Sequence, residues 1–286
     1  DIARGRTLAL VGESGCGKTT LGKSMLGLAP MTRGSFEYDG KDLAGLADRG
    51  RKPYRRKMQI VFQDPFSSLN PRMLVGEILA EGMETHGIGS SRSDRTNQVL
   101  KLLARVGLPP TAADRYPHEF SGGQRQRIGI ARALSVDPEC VILDEATSAL
   151  DVSVQAQILN LLVDLRRDLG LTYLLITHDL SVVRYLADRV AVMYLGRIVE
   201  EAPTRELFED PKHPYTKALL SAIPSIDSSE QRLKIRLTGN VPSPANPPSG
   251  CHFHPRCPEA KPECSSRVPS LKANGADRNV SCLLYD

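Results

Sequence analysis

Short apolar runs alternate along the chain with longer stretches in which apolar and polar residues mix. A short apolar run bounded by glycines or acidic residues is typical of a buried strand in a parallel sheet. Such runs predict strands at 7–11, 58–62, 140–143 and 172–176. The runs 190–193 and 197–200 flank Leu195-Gly196 and predict a hairpin.

Helical patterns separate these strands. A helix-like stretch covers 19–28, and apolar residues at three- and four-residue spacing predict an amphipathic helix over 154–169. Residues 34–39 have the pattern of a surface strand that ends at an Asp39-Gly40 turn. Strands that alternate with helices predict an α/β fold.

The sequence pattern changes twice along the chain, which predicts three structural regions. Helical segments broken by Pro and Gly interrupt the strands after residue 63, and a loop-rich stretch with many prolines and four cysteines follows residue 201. We therefore expect an α/β core at 1–63 and 139–201, an inserted helical subdomain at 64–138, and a C-terminal extension at 202–286.

Composition narrows the class of protein further. The 286 residues are 41% hydrophobic, which is enough to bury a sizeable core. The net charge is only +4, so charge gives no reason to expect a nucleic-acid partner. No apolar run approaches the roughly 18–20 residues of a membrane helix, so a role at a membrane would be peripheral.

The first residues and the cysteines bear on the compartment. Residues 1–5 include neither an initiator Met nor a signal-peptide profile, and the sequence is expected to begin partway through a domain. Cys16 and Cys140 stand alone, whereas the other four cysteines lie near the C-terminus. A secreted disulfide framework spreads its cysteines through a shorter chain, so we expect a cytosolic protein with one local cysteine site.

A phosphate-binding loop is the first candidate site. Residues 12–19, Gly-Glu-Ser-Gly-Cys-Gly-Lys-Thr, fit the pattern G-x-x-x-x-G-K-[ST] between a strand and a helix. Glycines let backbone N–H groups face phosphate oxygens, and the helix N-terminus adds partial positive charge. Lys18 is expected to reach the terminal phosphates and Thr19 to bind Mg²⁺. The expected nucleotide-binding residues here are Gly12, Glu13, Ser14, Gly15, Cys16, Gly17, Lys18, Thr19 and Thr20.

Two further motifs follow in the chain. The apolar run 140–143 ends in two carboxylates, Asp144 and Glu145. We expect the first in the Mg²⁺ shell and the second as the base that polarises the attacking water. Residues 121–124, Ser-Gly-Gly-Gln, precede a helical stretch, and backbone groups at a helix start form a second anion site.

Together these motifs resemble the ATP-binding subunits of ABC transporters, whose signature motif residues 121–124 match. Gln63 matches the Q-loop of that family, Asp151 its D-loop and His178 its switch histidine. The resemblance implies an α/β fold with a P-loop NTPase (ABC-type) core, an inserted helical subdomain and a loop-rich C-terminal extension that contains cysteines.

The resemblance also implies the site residues and a second ATPase subunit. It assigns catalysis to Glu145, His178 and Gln63, and Mg²⁺ binding to Thr19, Gln63 and Asp144. ATP would lie between the phosphate loop of one subunit and the signature of the other. The nucleotide-binding residues outside the phosphate loop would be Ser121, Gly122, Gly123, Gln124, Gln63, Asp144 and Asp151. The family's adenine-stacking aromatic residue precedes the phosphate loop, and no residue before Gly12 is aromatic, so none is assigned.

The residues that flank the motifs indicate a subfamily. Segments 62–72, 116–120, 213–216 and 251–258 look like those of oligopeptide/dipeptide importer ATPases, although glutathione and nickel importers share much of this wording. The resemblance implies two transmembrane permease subunits, an extracytoplasmic solute-binding protein that acts indirectly, and a peripheral position on the cytoplasmic face of the bacterial inner membrane. A soluble ABC-type ATPase that acts on DNA or ribosomes is the less favoured alternative, because the segment before Ser121 lacks sustained heptads.

The last candidate site consists of Cys251, Cys257, Cys264 and Cys282. Four thiolates can bind Zn²⁺ or an iron–sulfur cluster, and the spacing alone does not decide between these, unligated thiols and a disulfide. His252 and His254 are either substitute zinc ligands or ordinary loop residues. The peptide-importer resemblance implies a 4Fe–4S cluster, with Zn²⁺ as the alternative, in a structural role that stabilises the extension.

Overall fold

The computed structural model describes residues 1–223, 235, 237 and 239–286. Its contacts group the chain into two compact units. The first contains Asp1–Arg6 and Thr19–Leu174, and the second contains Thr7–Lys18 and Leu175–Asp286. The division into core, helical and C-terminal domains therefore stays a prediction.

Strands and helices alternate through most of the described residues. The strands are β1 Thr7–Val11, β2 Glu37–Tyr38, β3 Lys41–Asp42, β4 Met58–Val61, β5 Cys140–Asp144, β6 Thr172–Ile176, β7 Arg189–Tyr194, β8 Arg197–Pro203, β9 Lys272–Ala273 and β10 Asn279–Val280. The α-helices are α1 Lys18–Met25, α2 Asp48–Lys57, α3 Pro65–Ser68, α4 Val75–Thr85, α5 Arg92–Arg105, α6 Gly122–Leu134, α7 Val152–Leu169, α8 Leu180–Leu186, α9 Thr204–Glu209 and α10 Pro214–Ser221.

In the first unit, parallel strands β4 and β5 lie side by side with Ile60 opposite Ile142, and the strand order is β4-β5-β6. Every residue of β5 is buried, as expected for a strand covered on both faces. Helices α4, α5 and α6 pack against one another through buried residues that include Leu79, Leu103 and Ile128. The predicted helical character after residue 63 is thus present in this unit.

The residues at the two ends of helix α7 explain where this helix begins and ends. The Asp151 carboxylate accepts a hydrogen bond from the Val154 N–H at 3.0 Å and begins the helix. Gly170, with φ of 64°, ends it in the left-handed conformation that glycine adopts at little cost. The predicted helix at 154–169 extends two residues further toward its cap.

The strand order in the second unit is β1-β7-β8-β10-β9. Strand β1 runs parallel to β7, and β7 and β8 form the predicted hairpin, which turns at Leu195 and Gly196 with φ of 42° and 77°. The C-terminal segment adds β10 antiparallel to β8. The hairpin edge thereby carries part of the extension.

An aromatic cluster anchors the C-terminal segment in the second unit. Tyr194, Tyr215 and Phe253 are at most 1% exposed, and their ring centroids lie 4.7–5.3 Å apart. Edge-on aromatic pairs of this kind add to the free energy gained by burial. The extension therefore has an apolar anchor in addition to the metal site that the sequence predicts.

Two predicted elements differ from the structure. The surface strand at 34–39 shrinks to Glu37–Tyr38, because the chain reverses at Asp39 and Gly40, both at positive φ. The helix at 19–28 ends at Met25, because Gly27 takes a φ of 71°. Within the described residues, none of the helices has the length and apolar character that crossing a membrane requires.

Candidate functional site

The predicted phosphate loop connects β1 to α1. Gly12, Gly15 and Gly17 have φ of 156°, 81° and 105°, which lie in a region of backbone conformation that residues other than glycine rarely adopt. A Cβ at Gly12 would also collide with the main-chain oxygen of Met193 on β7. Local conformation and close packing therefore both require glycine at position 12.

Lys18 lies inside this loop. It is 5% exposed, and its Nζ donates hydrogen bonds to the main-chain oxygens of Gly12 at 2.8 Å and Glu13 at 3.1 Å. A buried ammonium is stable only when its N–H groups have acceptors. The loop therefore holds a positive charge where the motif predicts phosphate.

The first unit brings together two of the residues expected to bind Mg²⁺. The Thr19 hydroxyl donates a hydrogen bond to Asp144 Oδ1 at 2.9 Å, across 125 residues of sequence. Asp144 is 3% exposed at the end of β5. Hydroxyl and carboxylate oxygens are the donors that Mg²⁺ prefers, so the donor set fits this ion.

Gln63 and Glu145 also meet in the first unit. The Gln63 side chain follows β4 and donates from Nε2 to Glu145 Oε2 at 2.8 Å. Glu145 has φ of 47°, which is rare for a residue with a side chain and costs about 1–3 kcal/mol. Such strain concentrates at functional positions, which agrees with the role predicted for this carboxylate.

The Ser-Gly-Gly-Gln segment begins α6. The Ser121 Oγ accepts from the Gln124 N–H at 3.4 Å, and the Ser121 N–H donates to Gln124 Oε1 at 3.0 Å. These two bonds form a capping box, so the end side chains of the motif serve the helix itself. A Cβ at Gly123 would collide with Val154 of α7, so glycine is required where these helices approach each other.

Two other predicted residues lie just beyond secondary-structure elements. Asp151 caps α7, and the hydrogen bond from the Val154 N–H lowers the pKa of its carboxyl. His178 is exposed two residues after β6 ends, and it follows Thr177, whose N–H donates to Leu10 oxygen at 3.3 Å. The backbone of this segment is therefore tied to β1.

Three contacts with the phosphate loop escaped the sequence analysis. The Glu13 carboxylate accepts two hydrogen bonds from Arg256, and the Glu13 N–H donates to the Tyr215 hydroxyl at 2.9 Å. The Gly196 N–H donates to the Cys16 oxygen at 2.9 Å. No local pattern could have revealed them, because 243 residues separate Glu13 from Arg256.

The four C-terminal cysteines lie in one region of the second unit. Cys251 N–H donates to the Cys264 oxygen at 2.8 Å, and burial raises the pKa of Cys251, with a smaller contribution from Cys264. Cys282 and Cys251 likewise contribute to the raised pKa of Cys257, after burial as the main cause. The thiols are thus close enough to affect one another's ionisation.

As placed, these thiols do not form a metal-binding group. All six cysteines are free, and within the described part of the chain no set of three or more His, Cys, Asp or Glu side chains could hold a metal ion. His252 and His254 direct their Nδ1 atoms to the main-chain oxygens of Leu195 and Cys251. The donor chemistry suits a thiolate-bound metal, and the metal site stays a prediction.

These features define a class of protein. A glycine loop after a strand, a lysine inside it, and a hydroxyl paired with a strand-end carboxylate characterise P-loop nucleotide-binding proteins. The ABC transporter family matches residues 1–148, and the description "Oligopeptide/dipeptide transporter, C-terminal region" matches residues 199–264. The chain belongs to the ABC transporter family, as an ATP-hydrolysing subunit.

Relatives of known sequence support this assignment. The chain is 56% identical over 272 residues to a Brucella ovis protein named as a peptide import ATP-binding protein, with 95% of this chain and 86% of that protein covered. It is 52% identical over 287 residues to the oligopeptide transport ATP-binding protein AppF of Bacillus subtilis, with 99% and 87% covered. The predicted resemblance is therefore confirmed.

Solved structures confirm the predicted fold class. The ATP-binding cassette MJ0796, a dimer in a post-hydrolysis state bound to ADP and Pi, is 30% identical with a TM-score of 0.65, and the match covers 72% of this chain and 88% of that one. The cbiO1 protein from Clostridium perfringens, part of the ABC transporter complex cbiONQ, has the same identity and TM-score, covering 73% and 82%.

Proposed function

We propose that this chain powers the import of oligopeptides or dipeptides by hydrolysing ATP. The observation that carries the proposal is the pairing of Gln63 with Glu145 and of Thr19 with Asp144, which joins strand-end carboxylates to the Q-loop and phosphate-loop motifs. The peptide cargo is supported by the names of the relatives and by the match of the C-terminal region.

The loop residues Gly12 to Thr20 would bind the phosphates of ATP, with Lys18 as their cation. Thr19 and Asp144 would hold Mg²⁺, joined by Gln63. When bound, Mg²⁺ would neutralise negative charge on the phosphate oxygens. The backbone N–H groups at the start of α1 favour the same charge.

Glu145 would act as the general base, oriented by its hydrogen bond from Gln63, and His178 would be the third catalytic residue. The test is Glu145→Gln, which keeps the shape of the side chain and removes its basicity. Steady-state ATP hydrolysis by the assembled transporter should fall about 10²–10⁴-fold while ATP still binds.

A matched control lies at the other end of the same strand. Glu139 directly precedes β5 and binds Lys57 at 2.8 Å, far along the strand from the predicted site. Glu139→Gln should leave turnover within about twofold, because exposed ion pairs contribute little. Unchanged hydrolysis in Glu145→Gln would show that another group is the base.

We further propose that two ATPase subunits, identical or homologous, complete each other's sites through Ser121, Gly122, Gly123, Gln124 and Asp151. The dimeric state of the related cassette MJ0796 supports this arrangement. A mixture of Lys18→Ala and Ser121→Arg subunits should recover part of the activity that each lacks, because one intact site can form. No recovery in mixed dimers would contradict the exchange of motifs.

The remaining partners would be two transmembrane permease subunits and, indirectly, an extracytoplasmic solute-binding protein. The chain would act from the cytoplasmic face of the bacterial inner membrane, with no nucleic acid involved. The test is an uptake assay with the complex reconstituted in vesicles, which should show ATP-dependent uptake of labelled di- and oligopeptides. Uptake of glutathione or Ni²⁺ instead would contradict the peptide cargo and leave the proposed ATPase role unchanged.

For the C-terminal extension we propose a 4Fe–4S cluster, with Zn²⁺ as the alternative, bound by Cys251, Cys257, Cys264 and Cys282. The support is that Cys251 N–H donates to the Cys264 oxygen at 2.8 Å, and that burial raises the pKa of Cys251, Cys257 and Cys282 with smaller contributions from other thiols of this group. Anaerobically purified protein should contain about four iron atoms per chain and absorb visible light. Cys257→Ser should lose both properties, whereas Cys140→Ala, in buried β5, should keep them. Stoichiometric zinc or neither metal would reject the cluster.

The domain organisation is part of the proposal. The α/β core at 1–63 and 139–201 would bind and hydrolyse ATP, the helical subdomain at 64–138 would carry the signature motif, and the extension at 202–286 would carry the cysteine site. The helical packing of α4, α5 and α6 supports the second of these assignments.

A further inference from the structure

The phosphate loop contains an acidic residue beside its lysine. Glu13 is the second residue of the loop, and a triphosphate that binds there carries several negative charges of its own. A free carboxylate at this position would repel such a ligand, because like charges a few ångströms apart disfavour each other. Neutralisation of the Glu13 carboxylate by another group of the chain would therefore favour nucleotide binding.

Arg256 of the C-terminal extension neutralises this carboxylate. Its Nη1 donates to Glu13 Oε2 at 2.7 Å and its Nη2 to Oε1 at 3.1 Å, which is the strong bidentate geometry of an arginine–carboxylate pair. Arg256 is 8% exposed, and its hydrogen bonds to Glu13 raise its pKa, so its positive charge is permanent. Nη1 also lies 3.4 Å from the Tyr194 hydroxyl.

The same residue of the loop is held by its backbone. The Glu13 N–H donates to the Tyr215 hydroxyl, and Tyr215 belongs to the buried aromatic cluster together with Tyr194 and Phe253. Phe253 lies three residues before Arg256. One packed cluster therefore supports both the arginine and the hydroxyl that contact Glu13.

We propose that Arg256 is a positioning residue for the phosphate loop: it holds and neutralises the Glu13 carboxylate and thereby sets the affinity of the loop for Mg-ATP. The proposal rests on the proposed role of the loop in binding ATP. It gives the C-terminal extension a direct part in nucleotide binding, through a side chain that contacts the loop rather than the nucleotide.

The test compares Mg-ATP binding by the full chain and its variants, measured by equilibrium dialysis at low salt. Arg256→Gln should weaken binding about tenfold, within the usual range of coupling between neighbouring sites. Glu13→Gln keeps an oxygen that can accept from Arg256 and leaves an uncompensated positive charge beside the loop, so it should bind Mg-ATP several-fold more tightly than the unmodified chain. The double variant should recover most of the loss seen in Arg256→Gln.

Arg278 provides a matched control. It is a second buried arginine of the extension, 6% exposed, and its Nη2 donates to the Glu206 oxygen at 3.0 Å rather than to the loop. Arg278→Gln should lower the unfolding midpoint and leave Mg-ATP affinity within about twofold. Circular dichroism checks that each variant is folded. If Arg256→Gln does not fold, Glu13→Gln decides the matter by itself, since it should bind Mg-ATP several-fold more tightly than the unmodified chain.

Three results would overturn the proposal: unchanged affinity in a folded Arg256→Gln, unchanged or weaker affinity in Glu13→Gln, or a double variant as weak as Arg256→Gln alone. The last two would mean that the pair contributes rigidity and not charge neutralisation. Failure of the ATP-binding role itself is recognised separately, because then the unmodified chain would bind no Mg-ATP and Lys18→Ala would make no difference.

Discussion

The phosphate loop at 12–18 and the cysteine segment at 251–282 lie in the same compact unit, yet they stabilise their polar groups in different ways. In the loop, the Lys18 ammonium is bonded to main-chain oxygens and the Glu13 carboxylate to Arg256. In the cysteine segment, burial raises the pKa of Cys257 to about 11, so its thiol stays protonated at neutral pH.

The difference concerns what each region needs in order to function. The conformation of the loop is set by groups of the chain alone, namely its glycines and its main-chain oxygens. The cysteine segment places four thiols together and needs an added cation to stabilise them as thiolates. A loop whose conformation is set locally can therefore be recognised from a short motif, whereas the nature of the cysteine site cannot.

The largest expected effect separates the two regions by their tolerance of a single methyl group. Gly12→Ala should reduce the free energy of unfolding by about 3 kcal/mol, because the new Cβ meets the Met193 oxygen. Gly275→Ala, at φ of 102° in the C-terminal segment, meets no described atom within 4 Å and should cost about 1 kcal/mol. Urea denaturation measures both, and equal losses would show that the loop is no more tightly packed than the tail.

The next effect concerns charge. Lys18→Ala should weaken Mg-ATP binding about 100-fold, since hydrogen bonds to charged groups contribute most when buried. Lys261→Ala, an exposed lysine between the tail cysteines, should leave affinity unchanged. Isothermal titration of the folded variants checks the difference. An effect of similar size at both positions would indicate general charge attraction and not a specific loop.

The smallest effect concerns acid sensitivity near the tail. Burial lowers the pKa of His213 to about 3, with a further contribution from the charge of Lys217, and its Nδ1 accepts the Tyr215 N–H at 3.0 Å. The unfolded histidine titrates near 6.5, so between these pH values the unfolded chain binds more protons. Stability is therefore full above pH 6.5 and falls as the pH decreases toward 3.

From pH 7 to pH 5 this histidine should cost about 2 kcal/mol of the free energy of unfolding. His213→Asn keeps an oxygen acceptor at the start of α10 and should remove that part of the pH dependence. Replacing the exposed His118 in the same way should leave it intact. Parallel pH profiles for the unmodified chain and His213→Asn would refute the assignment.

Strands were predicted better than the ends of helices. The runs 7–11 and 172–176 match β1 and β6, because a buried strand in a parallel sheet is a continuous apolar run. The helix predicted at 19–28 is longer than the observed one, which ends at Met25 because Gly27 adopts a left-handed φ of 71°. The strongly basic helix α2 has no buried residue, so no apolar spacing marks it in the sequence.

The candidate site divides in the same manner. The sequence identifies the candidate residues Lys18, Thr19, Asp144 and Glu145, because each belongs to a short motif that can be recognised by itself. Their pairing across 125 residues, as in Thr19 with Asp144, depends on where a strand end and a helix start come to lie. The sequence order alone does not state that placement.

The sequence by itself determined the phosphate loop, the strand-end carboxylates, the signature segment and the family, because these features are encoded within short stretches whose chemistry is local. Only the tertiary structure decided that Arg256 binds Glu13 and that an aromatic cluster anchors the extension. Glu13 and Arg256 are 243 residues apart, and the aromatic rings come from three separate segments of the chain. Because these contacts depend on where distant elements come to lie, no local pattern of residues specifies them.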